Sequence, residues 1–156
     1  MIYAGIDPGL KGGISIISSS NVHNKVSQSW KMPETDKDLF SILHYLKTMK
    51  ARVVIEKAQC MPKMSTTAMF NYGVGYGKIL GMLIALEIPY HEVRPTEWKK
   101  EVLAGVKDKR SKLESILMVN RIFPEADLLA TPRSTVPHDG IAEAILIAEY
   151  GRRRNL

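Results

Sequence analysis

An apolar run, Ile2 to Ile6, ends at Asp7 and is followed at once by Pro8-Gly9. A run of that length with no helical period reads as a buried strand, and Pro-Gly supplies the tight turn that reverses the chain. The pattern recurs at Arg52-Val-Val-Ile55, a second short buried strand that ends at Glu56. If the two strands lie adjacent and parallel, their terminal carboxylates converge at one edge of a sheet.

The remaining elements follow from period and punctuation. Beyond the Gly12-Gly13 pair, Ile14, Ile16 and Ile17 carry strand character, and Val22 to Trp30 forms a weaker, partly exposed third strand, so three antiparallel strands open the fold. From Asp36 onward Leu39, Phe40, Ile42, Leu43, Leu46 and Met49 recur at helical spacing. Thr66 to Leu86 reads as a long, glycine-rich helix, Tyr90 to Val93 as a fifth strand, and Pro95 to Leu103 and Ser111 to Ile122 as two more helices. Leu128 to Pro137 reads as a loop, and a last helix runs from near His138 to about Arg153. There is no repeat, low-complexity tract or linker. Residues 1–156 are therefore expected to form a single α/β domain with a mixed five-stranded sheet flanked by helices.

The charge balance favours a polyanionic partner: 22 Lys and Arg against 16 Asp and Glu leave a net charge of +6. Nucleic acid and an anionic membrane surface both fit. The longest apolar stretch, Ile79 to Ile88, is broken by Gly81 and Glu87 and is too short to span a bilayer. No signal peptide is read at the N-terminus, so the expected location is the cytoplasm, with no membrane partner. The single cysteine, Cys60, excludes an internal disulfide framework and a cysteine-based zinc cage.

Asp139 and Glu143 lie four apart at the start of the last helix and share one of its faces, beside an apolar face of Ile141, Ala144, Ile145 and Ala148. Together with Asp7 and Glu56 they make four carboxylates that would repel one another without cations. Such a cluster suits hard divalent ions, Mg²⁺ or Mn²⁺. Two ions so held can activate water and stabilise the leaving oxygen in phosphodiester hydrolysis. Taken singly, each acid has a plainer role: Asp7 as a turn former, Glu56 as a solvated strand end, Asp139 as a helix N-cap. Taken together in a basic chain, they point to a nuclease.

Ala4-Gly-Ile-Asp-Pro-Gly9, Val54-Ile-Glu-Lys57 and His138-Asp-Gly-Ile-Ala-Glu-Ala144 resemble, in order and separation, the three acidic motifs of RuvC-like Holliday junction resolvases. The resemblance spans nearly the whole chain. It implies an RNase H-like fold, a homodimer and a Mg²⁺-dependent crossover junction endodeoxyribonuclease. Two ions per active site, with Mn²⁺ as a substitute, would be held by Asp7, Glu56, Asp139 and Glu143. The implied reaction nicks opposite strands of a four-way junction, leaving 5′-phosphate and 3′-hydroxyl ends, with no nucleotide cofactor. The first motif alone also resembles the phosphate loop of actin-like ATPases, but the chain is too short for that two-domain architecture. The bacterial enzymes close their set with two aspartates three apart; Asp139 and Glu143, four apart, stand closer to short phage and organellar relatives. His138 is either an additional ligand or simply the residue that opens the helix. After Glu56, Lys57-Ala-Gln-Cys-Met-Pro replaces the aromatic wedge of the bacterial enzymes.

Lys57 to Lys78 contains three lysines and no acid, interleaved with Phe70, Tyr72 and Tyr76. Lys57, Lys63, Tyr72 and Tyr76 are accordingly expected to contact DNA, by phosphate tracking and base stacking. Arg94 to Lys112 holds seven basic and three acidic residues. Within it Lys99, Lys100, Lys107 and Arg110 are expected DNA contacts. Lys100 and Lys109 best match the supporting lysines of the family, and Lys109 is the expected catalytic one, offsetting charge beside the scissile phosphate. A solvated helix face is the plainer alternative for these lysines. Arg152 to Arg154 add either nonspecific phosphate affinity or a basic tail without function. Gly73, Gly75, Gly77 and Gly81 follow no strand and make no dinucleotide fingerprint; they suggest close helix packing, within the chain or across a dimer axis. Ile79, Met82, Leu83 and Leu86 form an apolar ridge that either meets a partner or packs on the protein's own sheet. Competing activities are an RNase H-like nuclease acting on flaps or RNA, and a junction-binding protein without catalysis.

Overall fold

In a computed structural model the described residues are 1–20, 24–59, 64–109 and 111–156. Cys60 and the expected DNA contacts Lys63 and Arg110 lie outside them. The chain runs β1 (Ile2–Asp7), β2 (Gly13–Ser19), β3 (Asn24–Lys31), α1 (Asp36–Thr48), β4 (Arg52–Glu56), α2 (Thr66–Ala85), β5 (Tyr90–Val93), α3 (Pro95–Val102), α4 (Lys112–Ile122) and α5 (Asp139–Arg154). Each expected element is present. The ends move by a residue where caps decide them: Ser111 and His138 stand just outside their helices as N-caps, and Pro95 occupies the first helical turn of α3, where its missing N–H costs nothing.

The sheet order is β3-β2-β1-β4-β5. β1, β2 and β3 pair antiparallel, while β4 runs parallel to β1, and β5 parallel to β4. Strand alternation divides the side chains between two layers. Ala4, Ile6, Ile14, Ile16, Val53 and Ile55 face one side and meet Leu39, Leu43 and Leu46 of α1 with Ile79 and Leu83 of α2. Ile17 and Val54 face the other, against Val102 of α3, Val119 of α4 and Ile141, Ile145 and Ala148 of α5. The helix-spaced ridge on α2 is thus resolved: Ile79, Leu83 and Leu86 are buried and Met82 packs beside them, all in the chain's own core. The apolar side chains that α2 leaves in the open are Phe70, Val74 and Ile84. Cβ atoms built on Gly73, Gly75, Gly77 and Gly81 would meet nothing within 4 Å among the described residues, so close packing inside the chain is not their role.

Helix α5 is the central element of its layer, buried along most of its length. It reaches the sheet because the contact is lined by small residues. A Cβ on Gly5 of β1 would lie 2.0 Å from the Ala144 carbonyl oxygen, and one on Gly140 would lie 2.0 Å from that of Lys11. Ser15 completes the seam by donating its hydroxyl to the Ile141 carbonyl at 3.4 Å. This approach presses the first turn of α5 onto the loop after β1. Among the described residues no helix is long and apolar enough to cross a membrane.

Candidate active site

Parallel pairing of β1 with β4, in which Ile6 registers with Ile55, carries Asp7 and Glu56 out of the sheet side by side at one edge. α5 begins at that edge, held by its close seat on Gly5 and Gly12. His138 caps it: its Nδ1 accepts the Ile141 N–H at 3.2 Å. That bond assigns His138 to the helix start and leaves Asp139 in the first turn, rather than as the N-cap. Glu143 follows one turn later, facing Asp7 and Glu56.

Each acid has a distinct set of partners. Asp7 accepts the Gly9 N–H at 3.2 Å, so it does form the turn expected of an Asp before Pro-Gly. Glu56 accepts Nε1–H of the fully buried Trp98 at 2.7 Å. Glu143 accepts from Lys99 Nζ at 2.7 Å and from the buried Ser115 hydroxyl at 3.4 Å. Asp139 is paired with Lys112. Trp98, Lys99, Lys112 and Ser115 were not singled out by pattern for these contacts. Helical spacing supplied a faint signal, since Lys112 and Ser115 lie three apart on α4.

Electrostatics record the crowding. Asp7 is pushed up to about 7, first by burial and then by the charges of Glu143 and Glu56. Glu56 is also raised by burial and Glu143, against the opposing Trp98 hydrogen bond and Lys99 charge. For Asp139 burial is outweighed by Lys112, which holds the carboxyl below its ordinary value. The Tyr72 hydroxyl is driven up to about 12 by burial and by Glu56, Asp7 and Glu143, which places it within the field of the cluster.

The Asp7 shift has a measurable consequence. Its folded pKa lies above the unfolded value of 3.8, so between those limits the folded state binds the extra proton, and stability falls as pH rises until about pH 7. In EDTA, Asp7→Asn is expected to be more stable than wild type and to melt at a higher temperature at pH 8, with the gap closing near pH 4. Thermal melts of both proteins at the two pH values check this; a gap that does not widen with pH would contradict it.

A cavity of about 830 Å³ is lined by two of the acids, Glu56 and Glu143, together with Lys99, Lys112, Lys11, Lys57 and Tyr72. Of the expected DNA contacts, Lys57, Tyr72 and Lys99 line it. Tyr76 does not: its hydroxyl donates to Glu92 on β5 and its ring packs against the α1–α2 core. Lys100 points to another hollow, with His91, Glu97, Tyr150 and Arg154, because it sits about 100° further round α3 than Lys99. Lys107 is exposed and Lys109 half-buried in the turns between α3 and α4. Among the described residues the lysines paired with the cluster are Lys99 and Lys112. The terminal arginines are also engaged: Arg152 and Arg153 pair with the buried Glu149, and Arg154 with Glu101.

The donor set at this edge is all carboxylate, which fits hard divalent cations better than softer metals. Among the described residues no three His, Cys, Asp or Glu side chains are gathered closely enough to hold an ion.

No protein-family profile matches the sequence, and no curated protein matches it. Solved structures do match. RuvC of T. thermophilus in complex with a Holliday junction substrate superposes with a TM-score of 0.70 at 20% identity, over 99% of this chain and 94% of that one. A second Thermus thermophilus RuvC structure gives 0.63 at 23% identity, over 99% and 97%. The yeast mitochondrial Holliday junction resolvase Ydc2 gives 0.61 at 15% identity, over 97% and 77%. With its five-stranded mixed sheet, its flanking helices and these matches along nearly its whole length, the chain has the RNase H-like fold in the form that RuvC takes.

Proposed function

We propose that the protein is a Holliday junction resolvase, a structure-selective endonuclease that nicks opposite strands of four-way or branched DNA. The observation that carries this reading is the convergence of Asp7 and Glu56, at the ends of adjacent parallel strands, with Glu143 and Asp139 of α5 beneath a lysine-lined cleft. The fold shared with RuvC, which has been solved with a Holliday junction substrate, supports the choice of DNA substrate.

Asp7, Glu56, Asp139 and Glu143 would hold two Mg²⁺ ions, with Mn²⁺ as a substitute; when bound, these supply an activated water and charge neutralisation at the leaving oxygen, giving 5′-phosphate and 3′-hydroxyl ends. Trp98 orients Glu56 by its indole hydrogen bond and keeps that oxygen from rotating away. Lys57 and Lys11 at the cleft supply phosphate affinity, and Tyr72 offers a ring on which a base can stack. The task is set in the cytoplasm, and the four-residue spacing of Asp139 and Glu143 favours a phage-encoded enzyme.

Nicking of a synthetic four-way junction in Mg²⁺, compared with linear duplex, flap and RNA substrates, tests the assignment. Paired nicks in strands of like polarity, abolished by EDTA, are expected. Equal cleavage of RNA or flaps would move the activity to those substrates, and binding without nicking would make the protein a junction-binding module. Trp98→Phe keeps the ring in its core position but removes the donor to Glu56. Its cleavage rate, measured below the melting transition, is expected to fall about 10- to 100-fold, with the melting temperature lowered by the packing lost around the smaller ring; an unchanged rate would detach Trp98 from the reaction.

Two nicks related by symmetry call for two active sites, so the working unit is a homodimer. Its interface is assigned to the outer face of α2, where Phe70, Val74 and Ile84 stand exposed beside open glycines. Sedimentation at micromolar concentration, alone and with a junction bound, is expected to give a dimer; a monomer in both states would refute the assembly.

A further inference from the structure

We propose that Lys99 and Lys112 are internal counter-cations that hold the acidic cluster closed to metal until DNA phosphates draw them away, so that metal loading is coupled to DNA binding. The inference rests on the nuclease reading above and concerns how that same site is switched.

Two lysines from different elements, α3 and α4, engage the two acids of α5: Lys99 reaches Glu143 at 2.7 Å, and Lys112 reaches Asp139. Their ammonium groups offset two of the four clustered carboxylates, so the cluster is partly neutralised without an ion. The same contacts occupy carboxylate oxygens that an ion would need. A cation cannot be added to Glu143 or Asp139 beside its ammonium partner without like-charge repulsion at a few ångströms.

Both lysines also line the cleft that DNA would enter. Each therefore lies within reach of two competing anions, a carboxylate of its own chain and a phosphate of the substrate. Lys112 is the freer of the two, with 66% of its side chain exposed; Lys99 is 19% exposed, and its ammonium lies 5.0 Å from the centroid of the Trp98 ring. A phosphate entering the cleft thus engages Lys112 first and releases Asp139. Lys100, one residue along α3, lines the separate hollow and takes no part.

The test measures metal and DNA affinity separately. Mn²⁺ binding to the DNA-free protein is followed by titration calorimetry or by electron paramagnetic resonance of the free ion. Four forms are compared: wild type, Lys99→Met, Lys112→Met and the control Lys100→Met. Junction affinity is measured in EDTA, and circular dichroism establishes that each variant is folded, with Lys99→Gln and Lys112→Gln standing in for any that is not. Removing either paired lysine is expected to tighten Mn²⁺ about 10-fold or more and to weaken junction binding, whereas Lys100→Met leaves Mn²⁺ affinity unchanged. Opposite movements of the two affinities separate a counter-cation from a merely structural lysine, whose loss would weaken both. Unchanged or weaker Mn²⁺ binding by the folded Lys99 and Lys112 variants, in a protein that nicks junctions, overturns the inference alone. Absence of Mn²⁺ binding in every form, together with absence of nicking, overturns the nuclease reading as well.

Discussion

Asp7→Asn is expected to lower junction nicking on the order of 10³-fold or more while junction binding stays at the wild-type level or tightens. The substitution changes little besides charge. Asn retains the side-chain oxygen that accepts the Gly9 N–H, so the turn after β1 persists. It removes the carboxylate that lies under the combined influence of Glu143 and Glu56, and so reduces the negative charge available to hold a cation. Because the same substitution should raise metal-free stability at pH 8, a loss of cleavage cannot be ascribed to unfolding. Initial nicking rates and gel-shift affinities on one four-way junction give both quantities; near wild-type nicking would remove Asp7 from the reaction and with it the two-metal assignment. Dimers that pair one Asp7→Asn subunit with one wild-type subunit should nick one strand and leave the junction unresolved.

The second large effect is on folding. Gly5→Ala would place a methyl 2.0 Å from the Ala144 carbonyl oxygen and 2.4 Å from the Ala148 nitrogen, both of them backbone atoms of α5. No rotamer change relieves such an overlap, so the helix must lift from β1 along its buried face. A loss of about 3 kcal/mol or more is expected, a large fraction of the 5 to 15 kcal/mol typical of a domain. Displacing α5 also displaces Asp139 and Glu143, so any folded remnant should be inactive. Gly75→Ala provides the contrast: its Cβ meets nothing within 4 Å, and replacing a mid-helix glycine should stabilise by about 0.5 to 1 kcal/mol. Urea denaturation of the two variants beside wild type measures both changes, and equal midpoints for Gly5→Ala and wild type would show that α5 can reseat freely.

The parts of the site that were legible in the sequence are those written in local pattern. Apolar runs that stop at Asp7 and Glu56 name two strand-end acids, and a four-residue spacing at the head of an apolar helix names Asp139 and Glu143. Their convergence needed one further condition, that β1 and β4 be parallel neighbours, and the sheet order meets it.

What local pattern could not decide is which side chains meet across the fold. Trp98 and Glu56 are 42 residues apart, and Lys99 and Glu143 are 44 apart. Basic composition marks the segment from Arg94 to Lys112 as a whole, but its lysines are sorted by the rotation of α3 against α5. Trp98 and Val102, one turn apart, go into the core, leaving Lys99 beside the acids and Lys100 around the corner. Tyr76 likewise has the composition of a stacking residue, yet it is claimed by Glu92 on an adjoining strand. The apolar ridge of α2 had two possible destinations, and it was the position of the sheet that buried Ile79 and Leu83 and left Phe70, Val74 and Ile84 outside. Period along the chain determines which residues share a face, because it is a property of backbone geometry. What that face touches depends on strand order and on how closely α5 can approach Gly5, and those exist only once the chain has closed on itself.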